Sequence, residues 1–254
     1  MCYSDDARPP LPPVRGGAAN TSDLHLTAAD GNGFMAYAAR AEQPNGRGMV
    51  ILPDVRGLFG FYKELAERFA EAGFDAVAFD YFGRVVGDGP RDNDFPYQEH
   101  LPKVTPDHVA ADVRACIEYL QSEDGGRPAS IFTVGFCYGG ANSWRQSAQN
   151  GDLLNGCIGF YGGRPLERVG PWLEQMSAPL LMLLAGDDKA TPPEEFEEFA
   201  EKVRARGIGV ESQTYPGAPH SFFDRTYEQW KDACDDAWRR ILDWTERHSR
   251  ARVG

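Results

Sequence analysis

The chain reads as an α/β domain built on a mostly parallel sheet with helices on both faces. Three observations point there. Short apolar runs alternate with longer amphipathic segments along the chain. The runs are continuous, as in Met49-Val50-Ile51-Leu52 and Ala76-Val77-Ala78-Phe79, so those strands are covered on both faces. The 254 residues show no internal repeat and no composition break that would divide residues 22–250, so a single domain is expected over 22–254.

Residues 1–21 include Pro9-Pro10-Leu11-Pro12-Pro13 and bury little apolar surface by composition, so a flexible N-terminal tail is expected there. Leu24, Leu26 and the run Phe34 to Ala39 form two short strands around the turn Asp30-Gly31-Asn32-Gly33. The strand at 49–52 comes next. Residues 61–72 make an amphipathic helix closed by Gly73. After the strand at 76–79, residues 80–105 carry many Gly, Pro and Asp and read as a long loop. Thr105 caps a helix over 106–121 with Pro106 in its first position. Strands follow at 130–134, 158–161 and 180–184. Thr191-Pro192-Pro193-Glu194 has capping-box spacing before a helix that ends near Gly207. The last strand is 210–215. The last helix, 227–248, sets Trp230, Ala233, Ala237, Ile241 and Trp244 on one stripe.

Composition excludes several classes. The net charge of −12 opposes binding to a nucleic-acid backbone. No apolar run reaches the length of a membrane span, and the first six residues lack the basic and apolar regions of a signal peptide. Five scattered cysteines without a CxxC pair make neither a disulfide framework nor a structural zinc site, and a reducing cytoplasm is the expected location. Asp107, His108 and Asp112 make a poor metal set, so no metal is expected.

The chemistry is carried by Gly135-Phe136-Cys137-Tyr138-Gly139, which follows a strand and opens a helix. That is the pattern glycine-x-nucleophile-x-glycine with cysteine as nucleophile. The turn must be sharp enough to push the side chain into a cleft, and the glycines let neighbouring backbone approach. The helix N-terminus faces the sulfur and favours thiolate. A nucleophilic thiol needs a base, and the base needs an orienting acid. In the α/β-hydrolase fold these follow in the order nucleophile, acid, histidine. The strand 180–184 runs into Asp187-Asp188, and the strand 210–215 runs into a loop with His220. The other histidines precede the nucleophile or lie on the terminal helix. Either Asp187 or Asp188 could meet His220. The oxyanion hole needs two main-chain amides. Tyr138 supplies one, and Val55 supplies the other, because Pro53 has no N–H.

These segments resemble the dienelactone hydrolase family (carboxymethylenebutenolidases) of α/β-hydrolases. The matching stretches are Leu52-Pro53-Asp54-Val55-Arg56-Gly57, Asp80-Tyr81-Phe82-Gly83-Arg84, the cysteine elbow with Gly140, Gly186-Asp187-Asp188 with Pro192, and Gly217-Ala218-Pro219-His220-Ser221-Phe222. The resemblance implies hydrolysis of an enol-lactone, of the kind that takes dienelactone to maleylacetate in bacterial chloroaromatic breakdown. It implies Cys137, Asp188 and His220 as the catalytic set, with no cofactor. It favours Asp188 over Asp187. It places Asp54 where family enzymes have a thiol-activating Glu, one methylene longer. It implies that Arg84 and Arg225 hold a substrate carboxylate, although Arg225 sits one residue further from His220 than the family spacing. The expected partner is a small anionic lactone or ester, on a monomer or small homo-oligomer. The alternatives are an esterase or thioesterase with the same triad, or a non-catalytic thiol sensor or ligand binder that retains the fold.

Overall fold

The structure is a computed structural model that describes residues 3–14 and 19–250. Eight strands form one sheet in the order β1-β2-β4-β3-β5-β6-β7-β8. They are β1 (Ala19–Thr27), β2 (Gly33–Ala41), β3 (Arg47–Leu52), β4 (Phe74–Phe79), β5 (Ser130–Phe136), β6 (Gly156–Phe160), β7 (Leu180–Ala185) and β8 (Val210–Tyr215). β1 pairs antiparallel with β2, and β2 antiparallel with β4. Every pairing from β4 to β8 is parallel. The order reverses at β3, so the loops after β3 and β5 open side by side at the carboxyl end of the sheet, where such folds bind ligands.

The helices are α1 (Gly60–Glu71), α2 (Gly83–Val86), α3 (Tyr97–His100), α4 (Pro106–Gln121), α5 (Tyr138–Gln149), α6 (Pro165–Arg168), α7 (Pro193–Ala205) and α8 (Lys231–Arg247). Successive strand residues point to opposite faces. Met49 and Ile51 therefore join one buried cluster with Phe61, Leu65 and Phe69 of α1 and Trp238, Ile241 and Trp244 of α8. Val50 and Leu52 join the other, with Val113 and Ile117 of α4, Trp144 of α5 and Phe199 of α7. Among the described residues no helix is long and apolar enough to cross a membrane.

Thr105 caps α4 as expected, in a capping box with His108 as its other member. Two other expectations need correction. Thr191 does not cap α7: Pro192 holds that position, and the Thr191 hydroxyl accepts from the Arg164 amide at 2.9 Å instead. The segment 80–105 is not a bare loop, since it holds α2, α3 and a 3-10 turn at Leu101–Lys103.

The expected tail differs most. Residues 3–14 lie against the domain, and β1 begins at Ala19 rather than near Ser22. Tyr3 and Ala7 are buried in the α1/α8 cluster. The indole N–H of Trp238 donates to the Pro10 carbonyl at 3.0 Å, and the Arg8 amide donates to Asp224 at 3.1 Å. Polyproline-like chain is already stiff, so docking it costs less conformational entropy than docking an ordinary tail. Residues 1, 2 and 15–18 of the expected tail lie outside the described residues.

Asp80 ties two of the loops at the carboxyl end together. Its carboxylate is fully buried and takes a two-pronged bond from Arg91, Nε to Oδ1 at 3.0 Å and Nη2 to Oδ2 at 2.9 Å. It also accepts from the amides of Leu58, after β3, at 3.2 Å and Phe82, after β4, at 3.0 Å. Gly57 adopts φ +89°, and a Cβ there would lie 2.4 Å from Asp80 Oδ1. Removing one partner of a buried pair strands the other charge. Asp80→Ala is expected to destabilise the fold by about 3–5 kcal/mol. Chemical unfolding checks this, with the double replacement Asp80→Leu/Arg91→Leu expected to recover most of the loss.

Candidate active site

The site is built around the end of β5. Cys137 follows the strand directly and adopts φ 56° and ψ −113°, a conformation that costs energy for any residue with a Cβ. Its amide donates to the Phe160 carbonyl at 3.0 Å, and its carbonyl accepts from Gly140 at 3.0 Å. The glycines around it are required by contact. A Cβ on Gly135 would lie 1.9 Å from the Gly139 carbonyl oxygen, and one on Gly139 would lie 2.1 Å from that of Leu52. The thiol is thus thrust out of the sheet at the N-terminus of α5, and it remains partly exposed.

His220 lies on the loop after β8, and Asp188 on the loop after β7. Nδ1 of His220 is 2.6 Å from Oδ2 of Asp188. An ionised carboxylate can only accept, so Nδ1 carries the proton and Nε2 is left for Cys137. Asp187 is exposed, whereas the side chain of Asp188 is 3% exposed. The loop geometry therefore separates the two candidates that the order of residues leaves open. Burial alone would raise the Asp188 carboxyl, but the bonds from His220 and the Ala190 amide bring it below the usual value. Burial pulls His220 down, yet the bond to Asp188 and the hydrogen-bonded contact with Cys137 outweigh it and lift the imidazole to about 10.

Asp54 lies fully buried on the loop after β3. Its Oδ1 accepts from the Arg56 amide at 3.0 Å, and its own amide donates to the Tyr62 hydroxyl at 2.9 Å. The main chain of Tyr3 is a second hydrogen-bonding group on this carboxylate, and no side chain bonds Oδ2. Burial raises this carboxyl to about 6, the Arg56 amide pulls it back, and the charge of Cys137 adds to the rise. Asp54 and the thiol therefore sense each other's charge. Among the described residues, the amides of Val55 and Tyr138 donate to no protein acceptor. Both are free for an incoming oxygen.

The two arginines read as substrate ligands are placed otherwise. Arg84 donates to Asp30 at 2.5 Å and to Asp112 at 2.7 Å. Arg225 donates to Glu64 at 2.7 Å, on α1. Arg84 is thus paired with two carboxylates, whereas Arg225 shares the single carboxylate of Glu64 with Arg8 and Arg68. Among the described residues no cluster of three His, Cys, Asp or Glu side chains could hold a metal ion.

Arg56 belongs to a stretch already matched from the sequence, whereas Tyr161 and Tyr3, also beside the site, are not singled out there. Arg56 is fully buried, stacks 3.3 Å over the ring centre of Phe59 and donates to Asp5 at 2.6 Å. Tyr161 directly follows β6, with its ring centre 4.7 Å from that of His220. Tyr3 comes in from the N-terminal segment and shares a hydrogen bond with Tyr161, hydroxyl to hydroxyl. The place of Tyr161 directly after a buried strand was the one available sequence signal.

The chain matches the model of the dienelactone hydrolase family over residues 34–249. It belongs to that family. The match makes this dienelactone hydrolase family member a carboxylic ester hydrolase with an α/β-hydrolase fold. Among curated relatives, an Escherichia coli K12 protein described as "Putative carboxymethylenebutenolidase" is 27% identical over 233 residues, covering 87% of this chain and 84% of its own length. "Protein usf" of Aquifex pyrophilus is 28% identical over 198 residues, covering 76% of this chain and 84% of its own. Two crystal structures share the fold with a TM-score of 0.77 each. One is a dienelactone hydrolase candidate from Klebsiella pneumoniae, 24% identical over 91% of this chain and 99% of its own. The other is the dienelactone hydrolase-like promiscuous phosphotriesterase P91, 20% identical over 92% and 100%.

The Asp54 carboxyl rises from an ordinary 3.8 to about 6 on folding. The folded state therefore favours its protonated form. Stability from this group is full below 3.8 and is lost as the pH rises through about 6. Asp54→Asn keeps the Oδ1 acceptor and removes the charge. It is expected to unfold at higher temperature than the parent at pH 8, by on the order of 3 kcal/mol in stability, with the gain vanishing in acid. Thermal unfolding across pH checks this.

Proposed function

We propose that this protein hydrolyses an activated lactone or ester by covalent catalysis at Cys137. The observation that supports the reading most is the elbow itself: a strained, partly exposed cysteine at a helix N-terminus, facing a histidine whose other nitrogen is 2.6 Å from a buried carboxylate. His220 takes the thiol proton, and the imidazolium stays beside the thiolate. Asp188 holds the ring in the tautomer that allows this. A charged Asp54 opposes the thiolate, so it would help activate Cys137 only by taking up the thiol proton itself.

Sγ attacks the carbonyl carbon, and the carbonyl π electrons move onto oxygen. The amides of Val55 and Tyr138 hold that oxyanion. The oxyanion collapses, the carbon–oxygen bond to the leaving group breaks, and His220 gives its proton to the departing oxygen. In a lactone the enol so released stays tethered within the acyl-enzyme. Water then loses a proton to His220 and attacks the thioester. The C–S bond breaks, the acid leaves, and Cys137 is restored. An enol-lactone suits this machinery because its leaving oxygen is a good one. Simple activated esters and thioesters satisfy the same geometry.

A preference for anionic substrates does not follow from Arg84, whose guanidinium is already taken up by Asp30 and Asp112, while Arg225 shares Glu64 with Arg8 and Arg68. Arg84→Ala is expected to change kcat/KM equally for an acid-bearing lactone and for its methyl ester. A selective loss with the acid would restore the arginine to the substrate site.

Cys137→Ala should abolish turnover, and His220→Ala should lower kcat by about a thousandfold or more. The imidazolium that protonates the leaving group persists until the pH passes about 10, so kcat should fall on the alkaline side near there. Asp188→Asn removes a bond that raises His220 and should move that limb toward neutrality. Steady-state rates with a chromogenic ester over a pH series test all three. Full activity in Cys137→Ala would end the covalent reading.

A further inference from the structure

The N-terminal segment reaches the site through Tyr3. The side chain is 2% exposed and stacks on Phe61 of α1, with ring centres 3.9 Å apart and planes 17° from parallel. It meets the edges of Tyr62 and Phe136, each at 6.3 Å, and Phe136 is the residue before the nucleophile. Its hydroxyl is hydrogen-bonded to that of Tyr161. Tyr161 is itself held in an unusual conformation, φ 37°, with its amide donating to Leu183 at 2.9 Å. From there its ring packs against the His220 imidazole, 4.7 Å between centres and 51° between planes.

The segment is anchored on both sides of the site. Asp5 accepts from Arg56, on the loop after β3, at 2.6 Å, and from the Asn93 amide at 3.2 Å. The Arg8 amide donates to Asp224 at 3.1 Å, and the Arg8 carbonyl accepts from the Arg225 amide at 2.9 Å. Both partners lie on the loop that carries His220. The segment therefore joins the loop of Asp54 to the loop of His220, and Tyr3 sits between them. Tyr3 also lies ahead of the family-matched residues 34–249, so this contact is an addition to what the family match describes.

We propose that Tyr3 is a positioning residue for the hydrolysis: through its hydroxyl it holds Tyr161 against His220 and so fixes the imidazole over Cys137. The proposal rests on the reading of Cys137 and His220 given above. The Tyr3 main chain also hydrogen-bonds toward the Asp54 carboxylate, and it is the hydroxyl that reaches Tyr161. A histidine packed against an aromatic ring takes its orientation from that ring as well as from its carboxylate. A ring whose own hydroxyl is pinned has less freedom to swing.

The test is a double-mutant cycle on Tyr3→Phe and Tyr161→Phe, which remove one oxygen each and keep both rings. Two readouts are taken: steady-state hydrolysis of a chromogenic ester, and the pH dependence of Cys137 alkylation by iodoacetamide. Each single variant is expected to lose about five- to tenfold in kcat, with KM within about twofold of the parent. The double variant should be no worse than the worse single one. The alkylation profile should shift alike in all three. Tyr161→Phe reports the same bond from the other side, so a folding defect in one variant does not leave the question open. An unchanged kcat and alkylation profile in Tyr3→Phe would overturn the proposal, and so would losses that multiply in the double variant. If the parent hydrolyses esters and the variants match it, the positioning role alone fails. If the parent hydrolyses none, yet the alkylation profiles shift together, the positioning stands and the hydrolase reading fails.

Discussion

The site depends on one strained residue. Cys137 sits at φ 56° and ψ −113°, between the last hydrogen bond of β5 and the first turn of α5. A strand cannot turn into a helix within one residue unless its neighbours give way. Here Gly135 and Gly139 let carbonyl oxygens come within distances that no side chain would permit. The strain is balanced by the parallel sheet on either side, where the Cys137 amide bonds the Phe160 carbonyl and β5 pairs with both β3 and β6. Strain of this kind costs on the order of 1–3 kcal/mol and persists only where the surroundings over-determine it. The return is placement. The thiol leaves the sheet at the N-terminus of a 12-residue helix, beside the loop of Asp54 and opposite that of His220.

Charge is then distributed around the sulfur in a way that hydrophobic packing alone would not select. Asp54 is fully buried and held by main-chain groups alone, with no cation on its carboxylate, a costly arrangement for a charged group. Asp188 is less deeply placed, with its side chain nonetheless covered, and is satisfied by His220 and the Ala190 amide. The two carboxylates therefore differ in kind. Burial is offset at Asp188 and is not offset at Asp54, so one is held below and the other well above the ordinary value. Pairs of titratable groups pushed apart by their surroundings are a mark of acid–base chemistry.

The parts legible in the sequence are those set by local pattern. Continuous apolar runs separated by amphipathic segments report a sheet buried on both faces, and the glycine spacing around Cys137 reports the elbow. Chain order delivers His220 and the pair Asp187-Asp188, but only the turn after β7 separates them, pointing Asp188 inward. What the sequence hides is set by partners distant along the chain. Arg84 occupies a family position, yet its guanidinium is matched by Asp30 and Asp112, on a turn and a helix whose approach no local pattern records. Tyr3 lies in a stretch whose composition argues for freedom. The segment can bury little on its own, whereas Tyr3 is buried by surface that α1 and β5 supply. The prolines that suggest a tail also stiffen it.

The central claim is a covalent bond between substrate and Cys137. Intact-mass spectrometry of the enzyme, acid-quenched during turnover of a slowly deacylated ester, tests it directly. The account predicts a mass increase equal to the acyl group, located by peptide mapping to the peptide that contains Cys137 and absent from Cys137→Ala. Steady turnover with no adduct, or an adduct on another residue, would contradict it.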